Sequence, residues 1–232
     1  MATLSYHEQK DIENIKKLRE LQKELPSFCS DFFRGIETST STRTRIAYAY
    51  DLKIFFQFLK TANPGTFDNP SHTLTPSDLE KLTVTDLEEY IDYLKCHPSD
   101  TNEDVINTER GLMRKVSSLR SFYSYFFRNE RIEKNPAALV RMPKLHEKEI
   151  IRLEIDEVAK LLDEVEEGDK LTEKQKLYHE RTKVRDLAMM SLLLGTGIRV
   201  SECVGLNIND IDLDTCGARV YRKGGKESVI YF

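Results

Sequence analysis

Gly195-Thr196-Gly197-Ile198-Arg199-Val200-Ser201-Glu202 follows directly on an apolar run, Leu187-Ala188-Met189-Met190-Ser191-Leu192-Leu193-Leu194. The run reads as a helix. Gly195 stands where a helix closing on a left-handed residue wants glycine, and Gly197 lets the chain turn again at little steric cost. Arg199 then emerges from a tight corner, with Ser201 and Glu202 opening a second, short helix. A guanidinium held at such a corner can fork onto phosphate oxygens. Glu202, three residues on, shares its helical face and can hold the arginine in one rotamer. Spacing alone equally allows a surface Arg–Glu pair after a buried helix.

Outward from this corner, Gly217-Ala218-Arg219-Val220-Tyr221-Arg222 and Glu227-Ser228-Val229-Ile230-Tyr231-Phe232 read as two strands about a Gly224-Gly225 turn. Lys223 and Lys226 flank the turn, so two ammonium groups project from a hairpin tip. Lysines at a strand edge also serve simply to prevent edge-to-edge pairing. Taken together, Thr196-Gly197-Ile198-Arg199-Val200-Ser201-Glu202 and Lys223-Gly224-Gly225-Lys226, with Arg199 and Lys223 24 residues apart, resemble the tyrosine recombinase (phage integrase, Xer-like) family. That family carries its first catalytic Arg in a T-G-[IL]-R-x-[ST]-E corner and its catalytic Lys in a K-G-x-K hairpin turn.

In bulk, 232 residues suffice for one large or two modest domains. Hydrophobic residues at 39% and charged residues at 32% describe an ordinary soluble chain, with neither a membrane-length apolar run nor a signal segment. Cys29, Cys96, Cys203 and Cys216 form no close pair of metal-ligand type and suit a reducing, cytoplasmic setting as free thiols. A net charge of −4 argues against wholesale coating of nucleic acid but leaves room for a local basic face.

Before the corner, the pattern is helical. Residues 5–26 carry an apolar stripe (Ile12, Ile15, Leu18, Leu21, Leu25) ended near Pro26. This reads either as a cover for the next domain or a neighbouring subunit, or as a partly ordered extension. Residues 39–60 place Tyr48, Leu52, Phe55, Phe56 and Leu59 at core spacing, with Arg43, Arg45 and Lys53 elsewhere on the helix. A loop from Asn63 to Pro76 leads to a helix with a capping box expected at Thr85 and Glu88, ended by His97-Pro98-Ser99-Asp100. A long helix is expected over 105–128, with Leu112, Val116, Leu119, Phe122, Tyr123 and Phe126 inward and Arg110, Arg114, Lys115 and Arg120 outward. Arg128, Arg131, Lys134, Arg141, Lys144, Lys148 and Arg152 extend this basic excess, which fits either a solvated face or phosphate contacts.

Asn135-Pro136 stops the helices, and Met142-Pro143-Lys144 opens an extended basic passage that reads as a linker. A further helical pattern starts near Ile155, and the charged stretch Glu164–Lys183 reads as a solvent loop with a helical turn. The fold expected is mainly α with a small β-hairpin or sheet. The resemblance implies an N-terminal helical extension (1–30), a SAM-like core-binding helical domain that clamps DNA (31–140), a linker (141–152), and the first part of a mixed α+β catalytic domain (153–232). Candidate DNA contacts are Arg43, Arg45, Arg114, Lys115, Arg120, Arg141, Lys144 and Lys226.

Cleaving a phosphodiester without a metal requires charge neutralisation on the non-bridging oxygens, a nucleophile, and an acid for the leaving 5′-hydroxyl. The resemblance implies that Arg199 clamps the scissile phosphate, Glu202 orients Arg199, and Lys223 protonates the leaving oxygen, with no cofactor. A tyrosine would form a 3′-phosphotyrosyl bond that conserves the ester energy. The family's His-x-x-Arg pair, its further His or Trp and its tyrosine lie downstream of the lysine hairpin. Here all five histidines (His7, His72, His97, His146, His179) precede Arg199, and Tyr221 and Tyr231 sit in hairpin strands. The expectation is therefore a site-specific recombinase in its full-length form, a homo-tetramer on double-stranded DNA. Residues 1–232 as given are expected to be a monomer that binds DNA without cutting it. The alternative is a non-catalytic accessory factor or inhibitor at recombination sites. A type IB topoisomerase relative would share the Arg/Lys/Tyr chemistry, but the helical region before the linker looks more like the recombinases.

Overall fold

The computed structural model describes residues 6–99, 101, 103–146, 149–222 and 226–232. They fall into two compact units, 1–148 and 149–232.

The first unit is helical: α1 (Tyr6–Lys23), α2 (Cys29–Gly35), α3 (Thr42–Ala62), the single turn α4 (Pro64–Phe67), α5 (Val84–Lys95) and α6 (Glu109–Arg128), with 3-10 turns at Pro76–Lys81 and Pro136–Ala138. The expected apolar stripes become one core. Leu18, Leu21 and Leu25 of the N-terminal stripe are buried in it, so α1 is a packed part of this unit. Phe28, Phe32, Phe56 and Phe126 all meet the ring of Phe122 at centroid distances of 5.1–6.2 Å, mostly edge to face, the geometry aromatic quadrupoles favour. Buried phenols find acceptors: Tyr123 donates to the Leu79 carbonyl at 3.2 Å and Tyr90 to that of Asp51 at 3.4 Å.

Some local boundaries differ from those expected from sequence. The capping box of α5 is Thr83 with Asp86, whose carboxylate accepts from the Thr83 amide at 2.7 Å while Thr83 Oγ1 accepts from the Asp86 amide. Thr85 and Glu88 lie inside the helix, because an Asp at the third position closes the box one half-turn earlier. The helix ends at Lys95, and β1 (Cys96–Pro98) pairs antiparallel with β2 (Asp104–Ile106). The long helix accordingly starts at Glu109, capped by Thr108, and not at 105.

Asp78 organises the 3-10 turn before α5. Burial pushes its carboxyl up, but Lys81 (2.7 Å), the Thr75 amide (2.9 Å) and His72 (2.9 Å) outweigh this and hold its pKa down at about 2. A depressed carboxylate contributes stability above its ordinary pKa and loses it as pH falls through the folded value. Acid titration should therefore cost the protein on the order of 2 kcal/mol between about pH 4 and 2 from this group. Asp78→Asn, followed by urea unfolding, should flatten that part of the pH profile.

The second unit contains α7 (Ile155–Glu167), α8 (Glu173–Thr196), α9 (Val200–Val204), a 3-10 turn (Ile208–Asp210) and the antiparallel sheet β3-β4-β5 (Ile211–Asp212, Gly217–Arg222, Lys226–Tyr231). Here the expected solvent loop over 164–183 is corrected. Gly168, at φ 69°, closes α7, and α8 runs unbroken from Glu173 through the apolar stretch. Its charged residues are good helix formers and pair along the helix, as Lys176–Glu173 and Lys183–Glu180 do. The hairpin strands form in the register Ala218↔Ile230, Val220↔Ser228, Arg222↔Lys226. Ile198, Cys203, Ala218, Val220 and Ile230 make a small buried core, with Met189, Leu192, Leu193 and Leu206 packed on it.

Candidate active site and basic groove

The Arg199 corner is built by one glycine, not two. Gly195 is helical, and α8 ends at Thr196. Gly197, at φ 66°, donates to the Leu193 carbonyl at 2.9 Å and reverses the chain. Ile198 is buried beneath the turn, which fixes where Arg199 leaves it. The two glycines should therefore respond oppositely to alanine. Gly195 has open space where a Cβ would go, so Gly195→Ala should stabilise α8 by about 1 kcal/mol. Gly197→Ala forces an L-residue into the left-handed region and should cost about 1–2 kcal/mol. Thermal unfolding of the two variants side by side checks the sign.

Arg199 is the N-cap of α9, and Glu202 grips it twice. One carboxylate oxygen accepts from the Arg199 amide at 2.9 Å and the other from Nη1 at 2.8 Å. Glu202 is buried, whereas the Arg199 side chain is 67% exposed. The bond from the Arg199 amide, ahead of its guanidinium and the nearby Arg222, holds the Glu202 carboxyl below its usual range. The clamp is thus complete above the ordinary carboxylate pKa and loosens only as pH falls through the lowered value. One Nη is spent on Glu202, and the guanidinium's remaining donors belong to an exposed group.

Arg222 was not singled out in the sequence. Strand alternation could have found it, because Ala218, Val220 and Arg222 share one strand face, and the first two are buried. Lys223, the expected acid, lies outside the described residues, between Arg222 and Lys226. Lys226 is exposed at the start of β5. Tyr221 and Tyr231 are exposed on β4 and β5, respectively.

In the first unit, a groove of about 760 Å³ opens between the N-terminal halves of α3 and α6, lined by Arg43, Tyr48, Arg110, Arg114 and Leu145 among others. Arg43, Arg110, Arg141 and Lys144 are exposed. Arg114 lines the groove while bonding buried Asp51 at 2.6 Å. Three other expected phosphate contacts are committed elsewhere. Arg45 is buried against Glu37 at 2.7 Å. Lys115 is buried and donates to Asn107 at 2.8 Å. Arg120 gives its donors to the carbonyls of Ala137, Ala138 and Val140. The placement of Lys115 on the outward face is thus corrected. Its spacing to Leu119, Phe122 and Phe126 is that of the inward stripe, and the ammonium is accommodated there by Asn107.

The phage integrase family profile matches residues 151–232, the span that holds the Arg199 corner and the hairpin. Over 215 residues the chain is 35% identical to tyrosine recombinase XerC of Caldanaerobacter subterraneus subsp. tengcongensis, covering 89% of this chain and 55% of that protein. It is 31% identical to tyrosine recombinase XerS of Streptococcus uberis over 241 residues, covering 93% of this chain and 66% of that one. Among solved structures, a lambda integrase dimer bound to a COC′ core site matches with a TM-score of 0.55 at 15% identity, over 92% of this chain and 51% of that one, which shows a shared fold. The chain belongs to the tyrosine recombinase, or phage integrase, family. It spans just over half to two thirds of the length of these relatives.

Proposed function

We propose that this protein acts in site-specific DNA recombination by metal-free strand cleavage and rejoining. Arg199 supplies charge to the scissile phosphate, and Lys223 supplies the proton to the leaving 5′-oxygen. The observation that carries this reading is the Arg199–Glu202 clamp: a buried carboxylate holds both the backbone and one Nη of an exposed arginine. A guanidinium fixed in advance needs no reorganisation as charge develops on a five-coordinate phosphorus, which is where such donors are worth most. Glu202 acts as a positioning residue. The reaction breaks the P–O5′ bond as a tyrosine oxygen bonds to phosphorus and releases its proton to solvent. The proton from Lys223 leaves with the 5′-hydroxyl, and the 3′-phosphotyrosyl ester keeps the bond energy for rejoining.

Residues 31–140 are assigned the role of the core-binding clamp, 141–152 that of the linker, and 153–232 the Arg/Lys-bearing part of the catalytic domain. The working assembly is a homo-tetramer on duplex DNA in the cytoplasm. Residues 1–232 alone are assigned as a monomer that binds DNA without cutting. Tyr221 and Tyr231 belong to strand ladders. The test compares this polypeptide with the product of the complete reading frame on a nicked suicide substrate, scoring covalent protein–DNA adduct on a denaturing gel. Adduct that requires Arg199 supports the enzyme. Binding of the site with no adduct from the product of the complete reading frame would leave only the accessory-factor reading.

The DNA-clamp role is assigned to the groove residues Arg43 and Arg114 with Arg141 and Lys144. Arg110, beside them in the groove, is added on its position. Arg43→Ala with Arg110→Ala should weaken duplex binding about equally for all sequences. It should also make the slope of log Kobs against log[salt] less negative by about 2, read by fluorescence anisotropy across a salt series.

A further inference from the structure

Four-residue spacing on two helices builds the wall of the basic groove. Arg43, Ala47 and Asp51 follow one another along one face of α3, and Arg110 and Arg114 along one face of α6. Arg43, Ala47, Arg110 and Arg114 line the groove, and Asp51 is buried one turn beyond Ala47. Arg114 reaches across from α6. Its Nη1 donates to the Asp51 carboxylate at 2.6 Å and to the Ala47 carbonyl at 3.4 Å. The Asp51 side chain is 1% exposed and that of Arg114 45%. Nε and Nη2 of Arg114 have no protein partner among the described residues.

Glu202 holds Arg199 by the same construction, a buried carboxylate taking one Nη of a more exposed arginine. Fold stability does not account for the Asp51–Arg114 pair. Burial pushes the Asp51 carboxyl above its ordinary range, and the opposite pull of Arg114 and Lys115 does not offset it. A carboxyl raised on folding subtracts stability while it is ionised, and ceases to do so only as pH falls below its ordinary value. Taking this charge out of water therefore needs another reason, and the groove supplies one.

We propose that Asp51 is a positioning residue for DNA binding: it fixes the Arg114 guanidinium in the groove, with Nε and Nη2 presented to a backbone phosphate. Those two donors form one edge of the planar fork, the arrangement that takes a phosphate bidentately. An arginine already held in place loses less side-chain freedom on binding than a free one, which is how preorganisation adds affinity. The inference rests on the assignment of Arg114 to the DNA clamp and adds to it the residue that aims it.

The test is a double-mutant cycle on residues 1–232, reading duplex binding by fluorescence anisotropy at fixed salt and pH, with thermal unfolding as the check on folding. Removing a negative charge beside the groove would by electrostatics alone tighten binding. Asp51→Asn is expected to weaken it instead, by about three- to tenfold. Arg114→Ala should weaken binding about tenfold in the wild-type background and by no more than about twofold beside Asp51→Asn. Arg43→Ala should keep its full effect there. Wild-type or tighter binding by Asp51→Asn overturns the proposal. So does an Arg114→Ala effect undiminished in that background, or an Arg43→Ala effect that shrinks with it; the clamp then stands without the positioning role. Arg114→Lys, at an exposed position, keeps the charge without the fork and should lose most of what Arg114→Ala loses. Wild-type binding by Arg114→Lys overturns the proposal even if Asp51→Asn does not fold. No effect of Arg114→Ala in the wild-type background removes Arg114 from the clamp, and the role of Asp51 with it.

Discussion

Arg199→Ala is expected to lower the rate of strand cleavage by the product of the complete reading frame by roughly 10³-fold or more, with duplex binding changed by less than tenfold. The magnitude follows from what a fixed guanidinium does in phosphoryl transfer, where supplying or removing one arginine changes rates by about 10³–10⁵. Binding should survive because the groove in the first unit carries its own arginines. Arg199→Lys should recover little: an ammonium keeps the charge but has no second arm to lie on Glu202 and the phosphate together. Glu202→Gln separates positioning from charge. It keeps an acceptor for one of the two Arg199 bonds but removes the negative charge, so the arginine should be less well fixed and cleavage should fall by about tenfold, less than for Arg199→Ala. The distinguishing readout is pH. The wild-type clamp loosens only below the ordinary carboxylate range, because Glu202 is held low; Glu202→Gln should lose that acid limb. Single-turnover cleavage across pH measures both. A wild-type rate in Arg199→Ala would remove Arg199 from the chemistry.

Phe122→Ala should cost the first unit about 4 kcal/mol and abolish its cooperative unfolding near physiological temperature. Phe122 is fully buried, and its ring touches those of Phe28, Phe32, Phe56, Tyr123 and Phe126. These rings come from α3, α6 and the α1–α2 region, so truncation opens a cavity where three segments meet. Phe-to-Ala changes at such sites cost about 3–5 kcal/mol, and the lost edge-to-face pairs lie on top of simple burial. Phe122→Leu should cost much less, because it keeps most of the volume. Urea unfolding followed by tyrosine fluorescence reads both. Near-wild-type stability in Phe122→Ala would mean that the core collapses around the gap.

Helix stripes and the hairpin could be read from residues because each depends on periodicity within a few turns. Phe122, Leu119 and Phe126 declare an inward face, and Val220 with Ala218 declares a strand face. The Arg199 corner was legible for the same reason: Gly197, Arg199 and Glu202 are neighbours in the chain, and their bonds are made within four residues. What remained hidden was mostly the fate of charge. Arg120, Lys115 and Arg45 look like any other basic residues in one dimension. Their partners, the Ala137–Val140 carbonyls, Asn107 and Glu37, lie eight to twenty residues away. Asp51 gives no sign in the sequence of its bond to Arg114, 63 residues off.

Local pattern alone thus determined most of the helices, the hairpin strands and the glycine-turned arginine. Each is a short-range arrangement whose hydrogen bonds close within one element or one turn. Only the tertiary structure decided which basic groups face outward and which are used inside. A buried ion must find its partner wherever the fold brings one, and that partner's distance along the chain carries no signal. Asp51, which buries its carboxylate against Arg114, is the example: no spacing rule links positions 63 residues apart.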